Sequence, residues 1–80
     1  MTLQEAVQRY LAQAGEYGKV VPLSVFGLPK QETEQALAVF DEDYNISRYF
    51  HLRNDSGDPY DVNGFPHTHV SIDADIATIL

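Results

Sequence analysis

The 80-residue sequence contains no cysteine, and it has only five basic residues against twelve acidic ones. The absence of cysteine excludes a disulfide framework, a thiolate nucleophile and a zinc site built on cysteine ligands. The shortage of Lys and Arg leaves a formal net charge of −7, which disfavours adhesion to nucleic acid and to anionic lipid. The chain also has no glycine-rich phosphate-binding loop.

Long apolar runs are absent as well. No segment approaches the roughly 20 apolar residues that span a bilayer, and the N-terminus lacks the features of a signal peptide. Hydrophobic residues nevertheless make up 44% of the chain, which is normal for a folded protein. We therefore expect a single domain over residues 1–80, located in the cytoplasm and without a membrane anchor.

The first element predicted by the sequence is a helix over residues 2–14. Thr2 and Glu5 stand at the spacing of a capping box, in which each side chain accepts a hydrogen bond from the other residue's backbone N–H. Apolar residues then recur at steps of three and four, which places them on one face of a helix. Gly15 suits the left-handed conformation that commonly ends a helix.

The middle of the chain predicts a strand and two further helices. The β-branched run that stops at Pro22 predicts a short edge strand, and residues 23–26 predict a short helix that depends on packing. A longer helix follows from Pro29 to about Asp41, because proline is well tolerated in the first turn of a helix. Residues 43–45 then predict a turn.

The C-terminal half predicts two strands and a closing turn. Residues 46–52 and residues 68–73 alternate between apolar and polar side chains, which is the pattern of half-buried strands. The intervening residues 54–66 are dense in turn formers and too long for a tight hairpin. Residues 74–80 carry apolar side chains at helical spacing and predict a final helical turn over the core.

These elements together resemble the winged helix-turn-helix superfamily. The resemblance is carried by Leu23, Phe26, Gly27, Leu28, Ala36, Leu37, Phe40 and residues 46–53. It implies an α+β fold with about three helices packed on a two- to three-stranded antiparallel sheet. It also implies nucleic-acid binding through the motif's second helix and the loop, at Lys30, Gln31, Thr33, Glu34 and residues 54–66.

Charge argues against nucleic-acid binding by that second helix. Residues 29–43 contain one lysine and five acidic residues, a net charge of −4, which a phosphate backbone would repel. A DNA-binding regulator is an alternative hypothesis, and it would depend on Lys30, Arg48 and Arg53. We expect no binding to random duplex DNA tighter than roughly 10⁻⁴–10⁻⁶ M at physiological salt.

The three histidines are a candidate metal site. If the two strands pair so that their apolar faces coincide, His51, His67 and His69 share the outer face of the sheet. Three neutral imidazoles at cross-strand spacing suit Zn²⁺, with Asp73 or water as a fourth ligand. The interpretation we favour is a solvent-facing polar surface without metal, and we expect no cofactor.

Aromatic side chains in and beside the loop are candidates for partner contacts. Tyrosine and phenylalanine are enriched in protein interfaces, so the predicted partner-binding residues are Tyr49, Arg53, Tyr60 and Phe65. The alternative is that the two aromatic residues of the loop fold it onto the domain. The acidic residues of the loop do not match the spacing of a calcium-binding EF-hand, so they predict solvated turns.

The sequence favours an acidic protein-interaction module over an enzyme. None of the serines stands in a recognisable catalytic arrangement with His and Asp. The negative charge and the aromatic residues predict that the partner is another protein, and a basic partner suits the charge. DNA binding and metal binding by the histidines are the alternatives.

The core is predicted from the apolar faces of all these elements. Its predicted members are Leu3, Val7, Leu11, Leu23, Phe26, Leu28, Ala36, Leu37, Phe40, Phe50, Leu52, Val70 and Ile72. Leu37 lies at the centre of the apolar face of the second long helix, so its burial tests the helix register.

Overall fold

The computed structural model describes residues 1–53 and 68–80, and these residues form a mixed α+β domain. Its helices are α1 (Leu3–Ala14) and α2 (Lys30–Tyr44), and its strands are β1 (Val21–Pro22), β2 (Phe50–Arg53) and β3 (His69–Ile72). Short 3₁₀ helices occupy Leu23–Phe26, Ile46–Arg48 and Ala74–Thr78. The predicted α+β class is confirmed. The expected number of about three helices is wrong, because the described residues contain two α-helices.

Helix α1 is stabilised at both ends by the residues that predicted it. The Thr2 hydroxyl accepts the Glu5 N–H at 3.1 Å, and the Glu5 carboxylate accepts the Thr2 N–H at 3.3 Å. The hydrogen bond that the Thr2 backbone N–H donates to the Glu5 carboxylate favours the ionised form and lowers the pKa of Glu5. At the other end, Gly15 adopts a φ of 82°, and its N–H donates to the Leu11 carbonyl.

The three strands form one antiparallel sheet in the order β1–β3–β2. Strand β3 is central, since Val70 lies opposite Val21 on one side and opposite Leu52 on the other. Val70 and Ile72 are fully buried, as the alternation predicts. Strand β1 lies at an edge, as predicted, and it ends at Pro22.

Helix α2 is longer than the sequence predicted. It runs from Lys30 to Tyr44 rather than ending near Asp41. The turn expected at residues 43–45 is confined to Asn45, whose φ of 55° is left-handed and whose N–H donates to the Asp41 carbonyl. Of the described helices, neither α1 nor α2 is long and apolar enough to cross a membrane.

The N-terminus of α2 has no side-chain cap, because Pro29 precedes the first helical residue. The hydroxyl of Thr33 lies 3.3 Å from the Leu28 carbonyl oxygen and 3.1 Å from that of Pro29, and it donates inside the domain. Thr33 is fully buried. Its expected role as a nucleic-acid-facing residue is therefore wrong, since the side chain cannot reach a phosphate or a base.

Short 3₁₀ helices account for one predicted element and shorten another. The short helix predicted over residues 23–26 is present as the 3₁₀ helix Leu23–Phe26, and the Arg9 guanidinium donates to the Phe26 carbonyl at its end. The strand expected over residues 46–52 begins only at Phe50, because Ile46–Arg48 is a 3₁₀ helix. This turn explains why Arg48 interrupts the apolar alternation.

Most members of the predicted core are buried, and the C-terminal residues 74–80 contribute Ile76 to the core. Ile76 is fully buried in the last 3₁₀ helix, as expected for a final turn over the core. Four members of the predicted core are only partly buried, namely Leu11, Leu28, Ala36 and Leu52. The core also includes residues outside the predicted set, namely Ala6, Tyr10, Ala14, Val21, Ile46 and Ile76.

Candidate functional site

The outer face of β2 and β3 carries side chains that the sequence identified as candidate ligands. His51 lies opposite Ser71 and Arg53 lies opposite His69, so the two histidines occupy diagonal positions on one face. The side chain of His51 is 43% exposed, and His69 is half-buried. His67 lies outside the described residues. Two of the three predicted zinc ligands therefore share a face of the sheet.

These two histidines have separate polar contacts. His51 Nε2 lies 4.0 Å from Asp73 Oδ2, an exposed pair that contributes little stability. His69 Nδ1 lies 2.8 Å from Thr68 Oγ1. Within residues 1–53 and 68–80, no group of three or more His, Asp or Glu side chains is placed to hold a metal ion. A zinc site would need His67, so the zinc hypothesis stays a prediction.

The predicted partner-binding residues do not converge within the described part of the chain. Tyr49 is half-buried and packs against the core. Arg53 donates from Nε to Ser71 Oγ at 3.4 Å, and it borders a different surface depression from Tyr49. Tyr60 and Phe65 lie outside the described residues.

The three basic residues of the nucleic-acid hypothesis lie in three different elements. Lys30 begins α2, Arg48 ends the second 3₁₀ helix and Arg53 ends β2. Each borders a different surface depression. Proteins that hold a phosphate backbone make several cationic contacts along it. The described residues do not gather these three cations in one depression.

A groove between α2 and the edge of β2 combines an apolar floor with an acidic rim. Its volume is about 300 Å³, and it opens to solvent. The floor consists of the buried or half-buried side chains of Leu23, Leu37, Ile46, Phe50 and Leu52. The rim consists of the exposed residues Glu34, Ala38, Asp41 and Ser47. We call this surface the α2–β2 groove.

The sequence of α2 explains why the groove forms. Glu34, Ala38 and Asp41 follow one another at steps of four and three, so they lie along one face of the helix. The single methyl group of Ala38 leaves space that a larger side chain would fill. The Asp41 carboxylate accepts the Ser47 N–H at 2.9 Å, which fixes the turn between α2 and β2 at the end of the groove.

The helix side of the groove is negatively charged. Helix α2 contains one lysine and five acidic residues. Among residues 1–53 and 68–80, the one contact within 4 Å between an acid and a His, Lys or Arg side chain is His51–Asp73, so no described Lys or Arg lies that close to the α2 acids. Glu34 and Asp41 are seven residues apart, which is about 10 Å along the helix axis. The groove therefore suits a ligand that joins apolar groups to a positive charge.

Sequence reasoning did not identify this groove. In the sequence, the acids of α2 argue against nucleic-acid binding, and the candidate metal ligands lie on the polar face of the strands. A usable signal was present in the small exposed residue Ala38, which lies between two acids on one helix face. The missing information was the position of the β2 edge beside that face, since this contact depends on tertiary packing.

Comparison of the chain with protein-family models, with curated proteins and with solved structures finds no match in any of the three.

Proposed function

We propose that this chain is a non-catalytic, winged-helix-like protein-interaction module whose α2–β2 groove binds a basic, apolar segment of another protein. The observation that carries the proposal is a groove of about 300 Å³ whose apolar floor lies beside Glu34 and Asp41. Covering apolar surface is favourable by roughly 25 cal/mol per Å². A positive charge on the partner complements the carboxylates of the rim and disfavours acidic competitors.

The winged-helix-like part of the proposal is supported by the order of the elements. Helix α1, strand β1, a short helix, helix α2, strand β2 and strand β3 follow in the order on which the resemblance rests. Winged-helix proteins commonly use the helix in the position of α2 to bind DNA. Here that helix buries Thr33 and carries five acids, so a protein is the partner class we propose.

Selection from a displayed library of random peptides tests the function directly. Peptides of about 12 residues are long enough to fill the groove, and selection runs against the immobilised protein at about 0.15 M ionic strength. We expect recovered peptides to combine apolar residues with Lys or Arg, with dissociation constants on the order of 10 µM. Recovery of acidic peptides, or of no binder at all, would overturn the proposal.

A matched pair of substitutions locates the binding site on α2. Ala38→Trp places a large side chain in the groove, whereas Val39→Trp places the same side chain on the neighbouring residue, which is 53% exposed and does not line the groove. Ala38→Trp should weaken peptide binding at least about tenfold, a change of roughly 1.4 kcal/mol. Val39→Trp should change it less than about twofold. Equal effects of the two substitutions would contradict a site in the groove.

A second pair tests the role of charge. Glu34→Lys reverses a charge on the rim, and Glu42→Lys makes the same reversal elsewhere on α2. Binding of a basic peptide should fall more with Glu34→Lys, because Glu34 lines the groove whereas Glu42 does not. Circular dichroism of each variant checks that the fold is retained. A larger loss of peptide affinity with Glu42→Lys than with Glu34→Lys would contradict charge complementarity at the groove.

A further inference from the structure

Among the described strands, β2 pairs with β3 on one side only, in the sheet order β1–β3–β2. Its other edge borders the α2–β2 groove, to which Phe50 and Leu52 of β2 contribute. Building on the proposed function, we propose that the partner segment binds in an extended conformation, as a strand added to the free edge of β2. Strand addition uses backbone hydrogen bonds for affinity and alternate side chains for specificity.

The hydrogen bonds of β2 indicate which backbone groups face that edge. The Tyr49 carbonyl accepts the Asp73 N–H at 2.8 Å, so Tyr49 directs its carbonyl toward the β3 side. Successive residues of a strand direct their backbone groups to opposite edges. Phe50 and Leu52 therefore direct N–H and C=O away from β3. Within residues 1–53 and 68–80, no hydrogen bond to another element occupies these groups.

The same two residues contribute side chains to the groove. Phe50 and Leu52 lie in its floor, so the free backbone edge and the apolar surface adjoin each other. A strand paired with β2 points every second side chain to the face on which Phe50 and Leu52 point theirs. Those side chains would enter the groove, with α2 as its opposite wall. A helical ligand would fill the groove without using the backbone edge.

This geometry defines the chemistry of the partner segment. Every second residue is apolar and enters the groove, and a Lys or Arg adjoins these residues to reach Glu34 or Asp41. An extended chain covers the roughly 10 Å between the two carboxylates with about three residues. The intervening side chains of the partner face the surface of the sheet that carries His51 and His69. The groove does not constrain their residue types.

Amide hydrogen exchange followed by NMR tests strand addition. The probe is a groove-binding peptide of about 12 residues, selected as described above. In the free protein the Phe50 and Leu52 amides should exchange fast, whereas the His51 amide, which faces Ser71, should exchange slowly. Saturating peptide should slow the Phe50 and Leu52 amides at least about tenfold. Unchanged exchange at both residues under saturation would overturn the proposal.

Methylation of the peptide backbone gives an independent test. An N-methyl group removes one N–H donor, and only alternate residues of an added strand donate to β2. We expect losses of about tenfold at positions two apart, with the position between them tolerant. Losses at consecutive positions indicate a helical ligand and overturn strand addition. Strand addition is also overturned if N-methylation weakens peptide binding at none of the positions.

Other occupants of the edge give distinguishable outcomes. If residues 54–67 of the same chain filled it, the Phe50 and Leu52 amides would exchange slowly without peptide at every protein concentration. If a second copy filled it, their protection would rise with protein concentration. Either result overturns the proposal. A peptide that is sensitive to Ala38→Trp but leaves both amides unchanged overturns strand addition alone, whereas the absence of any groove-binding peptide overturns the proposed function as well.

Discussion

The two helices of this domain differ in how much of their sequence serves folding. Helix α1 buries five of its 12 residues, is capped at both ends and carries one acid and one base. Helix α2 buries three of its 15 residues, has no side-chain N-cap and carries five acids. The local sequence of α1 agrees with its fold at every level, whereas α2 depends on tertiary contacts.

The difference between the two helices supports the proposal that α2 contributes to a binding site. The acids in the last turn of α2, among them Glu42 and Asp43, face the negative end of the helix dipole, which destabilises the helix. Asp41 offsets part of this cost by accepting the Ser47 N–H, whereas no hydrogen bond among the described residues involves the Glu42 or Asp43 carboxylate. Sequence features that break local rules without a structural gain are expected at functional sites. The contrast supports the proposal that α2 serves binding, whereas α1 serves the stability of the fold.

The largest expected effect comes from removing the tertiary anchor of α2. Leu37 is 6% exposed, so Leu37→Ala should lower the free energy of unfolding by about 2–5 kcal/mol through lost burial and a cavity. Urea unfolding followed by circular dichroism measures the change. Val39→Ala on the exposed face of the same helix is the control and should stay within about 0.5 kcal/mol. Similar costs for both would show that α2 is not held by this contact.

A smaller loss is expected at the cap of α1. Thr2→Ala removes the hydroxyl that accepts the Glu5 N–H, and it should cost about 1 kcal/mol of unfolding free energy. Gln8→Ala in the exposed middle of α1 is the matched control, and it should leave stability nearly unchanged. A cost at Thr2 no larger than at Gln8 would break the distinction between a capped α1 and an uncapped α2.

A gain in stability is expected at the end of α2. Asp43→Lys replaces an unfavourable charge in the last turn with a favourable one, so it should stabilise the domain by about 0.5 kcal/mol at low ionic strength. Thermal unfolding measures it. At about 1 M salt the Debye length is roughly 3 Å, and the gain should shrink. A gain that is independent of salt would point to a cause other than the dipole.

The smallest effect concerns the pH dependence of α1. Because the folded pKa of Glu5 lies below its usual value of 4.5, ionised Glu5 stabilises the fold above that pH and loses its contribution as pH falls through the folded pKa. The stability difference between the wild type and Glu5→Gln should therefore narrow with acidification. NMR titration should give a lower Glu5 midpoint in the folded protein than in urea. Equal midpoints would contradict the capping-box account.

Local signals in the sequence predicted part of this fold well. The ends of α1 follow from Thr2, Glu5 and Gly15, whose effects act within one turn of the helix. The edge position of β1 follows from Pro22. The turn at Ile46–Arg48 could not be separated from a strand, because Ile46 and Phe50 are both apolar and both buried, at a spacing that suits either.

The candidate site was harder to predict than the fold. The groove depends on Leu23, Leu37 and Phe50, which are far apart in the chain and which any sequence argument assigns to the core. Each is at most 6% exposed, and their convergence on one groove depends on tertiary packing. Only Glu34 and Ala38 carry a local signal. That signal indicates a groove only when the position of β2 beside this face of α2 is known.

Pro22 has a consequence for the behaviour of the protein in concentrated solution. The Leu23 N–H donates to the Thr68 carbonyl, so the preceding residue, Pro22, faces the free side of β1, where it offers no N–H donor. Polymerisation by edge-to-edge pairing requires two pairing-competent edges on each molecule, and the sheet formed by the described strands has one. For this described sheet, pairing between copies through β2 would give a two-fold dimer and not a growing chain of molecules.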